Sequence, residues 1–253
     1  MSLEGKVAFV SGVSRKRSVG GAIAFTLAGM GVDVAVCAKS HIEGAKSIAE
    51  EIKSMGRKSV AVQMDVTEYH SVKEGLAEVK RQLGAIDILV NNAAQMGHMV
   101  SIAKTTPEEW DKEMKTCLNS AFYCIKEVWA DMCASKWGRI VNISSVAGMI
   151  GGYGQTSYGA AKAGLINLAK SVALEGARFN ITANTVVIGI AHTDTYLELP
   201  ETIRQNIEKR TVFGRAAEPQ EIADAVAYLV SDEAQYMTGA IMNLMGGIDL
   251  FVF

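Results

Sequence analysis

The chain has 253 residues, 49% apolar and 21% charged, with a formal net charge of -2; that length holds one large α/β domain with a substantial core, and that composition excludes disorder. The near-neutral charge gives no reason to expect nucleic acid or an anionic membrane as partner, no apolar run approaches the ~20 residues that span a bilayer, and the first residues lack the apolar core of a signal peptide. The four cysteines, Cys37, Cys117, Cys124 and Cys133, have no metal-type pair spacing, which points to reduced thiols in a cytoplasmic protein without a metal.

The first apolar run, 6–11, reads as a strand and leads through Ser11-Gly12-Val13-Ser14-Arg15-Lys16-Arg17-Ser18-Val19-Gly20-Gly21 into a helical pattern. A strand-to-helix turn of this kind offers backbone N–H groups and a helix dipole to a phosphate. Further strands are expected at 33–38, 58–64, 86–91, 138–144, 182–188 and 240–245, with helices between them at 43–55, 69–83 and 219–231 among others. Short, doubly buried strands alternating with helices indicate a doubly wound parallel sheet covered on both faces. Thr106-Pro107-Glu108-Glu109 reads as a capping box, and all three prolines, Pro107, Pro200 and Pro219, stand where a helix begins. The stretch 190–215 is the least regular and suits a substrate lid on a single 1–253 domain.

The second strand ends in Ala38-Lys39-Ser40, without the carboxylate that binds the ribose 2′-hydroxyl of NAD. Lys39, Ser40, Arg15 and Arg17 would instead surround a 2′-phosphate, which favours NADP(H). Farther on, Tyr158 and Lys162 are four apart, so on a helix they share one face. Ser145 follows the strand at 138–144. A tyrosine near its ordinary pKa of ~10 is a poor acid–base group at neutral pH, and a neighbouring ammonium would lower that value. With a serine hydroxyl on the substrate oxygen, the three can deliver a proton to a carbonyl while hydride arrives from a cofactor.

Taken together, these segments resemble the short-chain dehydrogenase/reductase family over essentially the whole chain. The resemblance rests on the glycine loop at 12–20, Asp65-Val66, Asn91-Asn92-Ala93-Ala94, Ser145, Tyr158-x-x-x-Lys162, Ile188-Gly189 with Thr193, and Gly214-Arg215 followed by Pro219-x-Glu221-Ile222-Ala223. It implies a Rossmann fold of about seven strands, an NADP(H)-dependent reaction between a ketone and a secondary alcohol, and a homotetramer. It implies Ser145, Tyr158 and Lys162 as catalytic residues. Gly12, Ser14, Arg15, Arg17, Ser18, Val19, Gly20, Lys39, Ser40, Asp65, Val66, Asn91, Ala93, Tyr158, Lys162, Gly189 and Thr193 would hold the dinucleotide.

Four departures stand out. Ala94 replaces a glycine, Ile188 a proline, and Cys117 the family's catalytic asparagine, which implies either a water-mediated proton relay rerouted through Asn119 or a slower turnover. The glycine loop, with its two extra residues, resembles that of enoyl-thioester reductases. Reduction of a C=C bond and a non-catalytic NADP(H)-binding module are therefore the alternatives. The Tyr158–Lys162 spacing favours carbonyl chemistry. His98, His192, Met149 and Tyr153 are candidates for the substrate pocket, Trp110 and Trp129 for core or subunit contacts, and the apolar end at 246–253 for burial against another subunit.

Overall fold

The apolar runs pair side by side in one parallel sheet. In this computed structural model, which describes residues 3–95 and 99–250, the strands are β1 (Val7–Val10), β2 (Asp33–Ala38), β3 (Ser59–Gln63), β4 (Ile88–Asn91), β5 (Gly138–Ser145), β6 (Ile181–Ile188) and β7 (Ile241–Leu244). Each lies within two residues of its expected position. Their order across the sheet is β3-β2-β1-β4-β5-β6-β7, every pair parallel. This is the doubly wound Rossmann arrangement. The order reverses between β1 and β4, which leaves a crevice at the carboxyl ends of those two strands.

Among the described residues, ten α-helices connect the strands: α1 (Val19–Gly29), α2 (Ile42–Ser54), α3 (Tyr69–Leu83), α4 (Pro107–Met114), α5 (Ser120–Ser135), α6 (Val146–Ile150), α7 (Thr156–Gly176), α8 (Asp194–Leu197), α9 (Glu201–Glu208) and α10 (Pro219–Val230). The period-2 rule sorts the core. Ala8 and Val10 of β1 face one layer, with Ile23 and Leu27 of α1, Ile48 of α2 and Val226 of α10. Val7 and Phe9 face the other, with Leu76 of α3, Val128 of α5 and Val172 of α7. Each such side chain, fully buried, stabilises the fold by roughly 1.5–3 kcal/mol.

The helix starts are as the prolines indicate. Thr106 and Glu109 complete a reciprocal capping box on α4, Pro107 and Pro219 open α4 and α10, and Pro200 caps α9. The Gly214-Arg215…Glu221 pattern is also explained locally. Arg215 holds Glu221 with two bonds of 2.6 and 2.7 Å, and the Glu218 N–H donates to the same carboxylate at 2.8 Å. These donors, Arg215 foremost, pull the Glu221 carboxyl down to about 2. Between 190 and 215 the irregular stretch contains the short helices α8 and α9. No helix among the described residues is long and apolar enough to cross a membrane.

Candidate active site

The glycine loop leaves β1 at Gly12, whose φ of +71° suits glycine. A Cβ there would lie 2.6 Å from the Ala93 Cα, so the absence of a side chain lets the β1 and β4 ends close together. Ser11 fastens that junction: its hydroxyl accepts from the N–H groups of Asn92 and Ala93, each at 3.0 Å. Ser18 is the N-cap of α1, accepting from Gly21 N–H at 3.0 Å and donating to the Arg15 carbonyl at 2.7 Å. The two extra loop residues explain the second glycine of the pair. At Gly21 a Cβ would lie 2.6 Å from the Arg15 carbonyl oxygen and 2.5 Å from that of Lys16, because the enlarged loop folds back over the first turn of α1.

Beside this loop lies a cleft of about 770 Å³ whose walls include Gly12, Lys39, Ser40, Asp65, Val66 and Ala93. Six of the expected dinucleotide residues therefore meet. Lys39 Nζ is 2.7 Å from an Asp65 oxygen, while Thr67 gives Asp65 its N–H at 3.0 Å and its hydroxyl at 2.7 Å. Burial works against the charged carboxyl, yet Lys39 and Thr67 outweigh it and hold Asp65 below its ordinary range. The size of the cleft and the close approach at Gly12 fit a dinucleotide, and its walls carry both cations, Lys39, Lys112 and Lys115, and carboxylates, Asp65, Glu68, Glu108 and Asp111.

Other expected residues lie elsewhere. Arg15 Nη1 meets Glu198 Oε1 at 2.5 Å, after α8. Arg17 turns to the His192 carbonyl at 3.3 Å and its ring, and its own carbonyl accepts from Asp194 N–H at 3.0 Å. Both arginines thus bond to the 190–215 stretch, and neither lines the cleft with Lys39. Ser18, expected beside the pyrophosphate, spends its hydroxyl on the helix cap. Ser14 precedes the folded-back carbonyls, and Val19 and Gly20 form the first turn of α1. Asn91 is buried in the sheet, donating to Asn142 at 2.8 Å. Gly189 donates to the Leu244 carbonyl at 3.1 Å beyond β6, and Thr193 caps α8.

The three residues expected to be catalytic gather at the end of β5. Ser145 closes that strand and caps α6. Its hydroxyl is hydrogen-bonded to the half-buried Tyr158 in the first turn of α7. One turn on, Lys162 Nζ stands 5.6 Å from the Tyr158 ring centroid and donates to the Ile143 carbonyl at 2.8 Å. The Ser144 hydroxyl donates to the Lys162 carbonyl at 2.8 Å and ties β5 to α7. The net effect on Tyr158 is opposite to the expectation that Lys162 would lower its pKa. Burial first, then the neighbouring Cys117 and Glu113, push it up to about 12, against the Ser145 bond. Burial also drives Lys162 down, which weakens its ammonium as a source of stabilisation.

Cys117 occupies a π-helical segment, Lys115–Asn119, of a kind often found at functional sites. It is 1% exposed and its thiol donates to the Gln95 carbonyl at 3.6 Å. Burial raises its pKa while the charge of Lys162 opposes, so the thiol is inert by default and lies beside Lys162 and Tyr158.

A family model described as enoyl-(acyl carrier protein) reductase matches residues 12–249. The chain belongs to the short-chain dehydrogenase/reductase family. Among relatives in this family of oxidoreductases, the 3-oxoacyl-(acyl-carrier-protein) reductases FabG of Pseudomonas aeruginosa and Escherichia coli are each 40% identical over 98% of this chain and 99% of their own. The FabG of Staphylococcus epidermidis is 37% identical over 96% of this chain and 98% of its own.

Within that family frame, sequence reasoning missed Ser11, Gly21 and the buried Glu113 of α4. Glu113 was detectable: it lies three residues after Trp110 and beside Met114, on the apolar face of a helical pattern. Of the other candidates, His192 bonds Arg17 and Glu218, Tyr153 is 91% exposed, Trp129 packs against the second core layer, and His98 lies outside the described residues.

Proposed function

We propose that the protein is an NADP(H)-dependent ketoreductase that reduces the ketone of a 3-oxoacyl thioester to the secondary alcohol, or runs the reverse oxidation. The observation that carries this is the Ser145–Tyr158–Lys162 group at the end of β5, beside a dinucleotide-sized cleft. The thioester reading rests on the names of relatives 40% identical over nearly the full chain.

Gly12, Ala93, Asp65, Val66, Lys39 and Ser40 would hold the dinucleotide, with Lys39 and Ser40 on the 2′-phosphate. The chemistry supplied by that cofactor is hydride transfer. Tyr158 keeps its proton because burial disfavours the phenolate, so its hydroxyl is ready to protonate the ketone oxygen. Ser145 orients that oxygen through a second hydrogen bond. Lys162, fixed by the Ile143 carbonyl, stands behind the phenol ring. The 190–215 stretch, with α8 and α9, closes over the acyl chain.

Exposed apolar residues, Val212, Phe213 and Leu250, support contact between copies of the chain, with a cytoplasmic homotetramer proposed from the family resemblance; sedimentation velocity tests the assembly state. Enoyl-thioester reduction is the second reading, favoured by the expanded glycine loop. Assay of 3-oxoacyl and enoyl thioesters with NADPH separates the two. Consumption with the ketone, abolished in Tyr158→Phe while NADPH still binds, is expected. Turnover of the enoyl thioester alone, or an active Tyr158→Phe, overturns the proposal.

A further inference from the structure

α4 is a polar helix with one oddity. Its neighbours Glu108, Glu109, Asp111 and Lys112 face solvent, and the residue it buries is a glutamate, Glu113, only 9% exposed. Burying a carboxylate is costly unless it is matched by hydrogen bonds and favourable charge. Glu113 finds part of this match on α7, where the Ser157 hydroxyl donates to Glu113 Oε2. Ser157 precedes Tyr158 in the first turn of that 21-residue helix, whose dipole favours a nearby anion. The carboxylate is thus tied to the backbone segment that sets the position of Tyr158.

We propose that Glu113 is a positioning residue for the reaction: from α4 it holds the first turn of α7 through Ser157, and its carboxylate adds to the electrostatic environment of the proton-donating tyrosine. The inference rests on the ketoreductase reading of this site. Tyr158 is faced by Lys162 from its own helix, Ser145 from the end of β5, Cys117 from the π-helical segment and Glu113 from α4. Glu113 itself faces Ser157 and Cys117. A negative charge on Glu113 opposes formation of the phenolate. It therefore favours the protonated hydroxyl that ketone reduction needs at the start. The role is distinct from those of Ser145 and Lys162, since Glu113 acts on the tyrosine through the helix and through its field.

Three variants test this: Glu113→Gln, which keeps the size and removes the charge, Glu113→Ala, and Ser157→Ala, which removes the tether from the other side. Steady-state rates are measured in both directions from neutral to alkaline pH, with NADPH affinity measured separately. In Glu113→Gln, the pH at which reduction begins to fall and the pH at which oxidation levels off both move down. Glu113→Ala and Ser157→Ala lower kcat between about tenfold and about a hundredfold, with NADPH affinity intact, and Glu113→Gln recovers part of that loss. A purely structural role would lower thermal stability while leaving the pH profile where it was. A Glu113→Gln profile superimposable on the parent's overturns the inference, as does full kcat in Ser157→Ala. If Glu113→Ala does not fold, the other two decide. Tyr158→Phe, run beside them, separates the two failures. An active Tyr158→Phe sinks the ketoreductase reading; an inactive one with an unmoved Glu113→Gln profile sinks only the role of Glu113.

Discussion

Arg15 of the glycine loop and Glu198 after α8 form an ion pair with Nη1 and Oε1 2.5 Å apart, across 183 residues of chain. Arg17 makes a second link to the same stretch through the His192 carbonyl and ring. These two links strap the glycine loop to the residues on either side of Thr193. The first prediction follows from where the arginines point. Arg15→Ala and Arg17→Ala should leave the ratio of NADPH to NADH affinity unchanged. They should raise the KM for the acyl substrate and speed amide hydrogen exchange over 192–198. Fluorescence titration with both dinucleotides checks the first part, and a collapse of the ratio would return these arginines to the 2′-phosphate.

If the arginines serve the lid, discrimination falls on Lys39. Its ammonium sits on the wall of the cleft, paired with Asp65 at 2.7 Å and mostly solvent-exposed. A phosphate dianion would compete for that cation, and a charge-assisted bond of this type is worth about 1.5–3 kcal/mol. Lys39→Ala should weaken NADPH binding by about tenfold or more and leave NADH nearly untouched. Equal losses for both dinucleotides would point to a structural role through Asp65 instead.

The legibility of these features differed for physical reasons. Most strands could be read because a parallel strand buried on both faces tends to be a continuous apolar run, as at Val7–Val10, Val34–Cys37 and Ile88–Val90, whereas β5 also buries Arg139, Asn142 and Ser144 and shows a shorter apolar signal. Tyr158 and Lys162 could be read because helical spacing alone puts them on one face. The destinations of Arg15 and Arg17 could not, since their partners lie 183 and 175 residues away and only the folded chain brings them near. Nor could the tuning of Tyr158, where burial acts more strongly than the neighbouring lysine: residue spacing says who is adjacent, not how much water remains.

The enlarged loop makes its own prediction about stability. Gly21→Ala should force the Arg15 and Lys16 carbonyls off the first turn of α1, a crowding that typically costs about 1–3 kcal/mol. Ser18→Ala should lose the N-cap bond to Gly21 N–H, worth about 1 kcal/mol. Both effects would appear in thermal denaturation. The alanine at 21 should also weaken NADPH binding if, as proposed, the displaced backbone faces the phosphates. A Gly21→Ala protein of parental stability would mean that the loop does not fold back as described.

The last prediction concerns the sign of the Tyr158 ionisation. Burial comes first among the causes that push its hydroxyl from 10.0 to about 12. Between those two values the unfolded chain releases a proton that the folded chain keeps. The stabilisation from the protonated, buried phenol is therefore complete below the unfolded value and is lost as pH rises toward about 12. In the cofactor-free protein, the tyrosinate absorbance of the parent minus that of Tyr158→Phe should be close to zero through the range in which exposed tyrosines ionise, and should rise only above it. The same proton retention keeps the donor for ketone reduction available through neutral pH, whereas oxidation, which starts from the phenolate, should climb with pH. A Tyr158 titration near neutrality in the free protein would mean that Lys162 outweighs burial, and that the field of its ammonium reaches the phenol more strongly than its bond to the Ile143 carbonyl suggests.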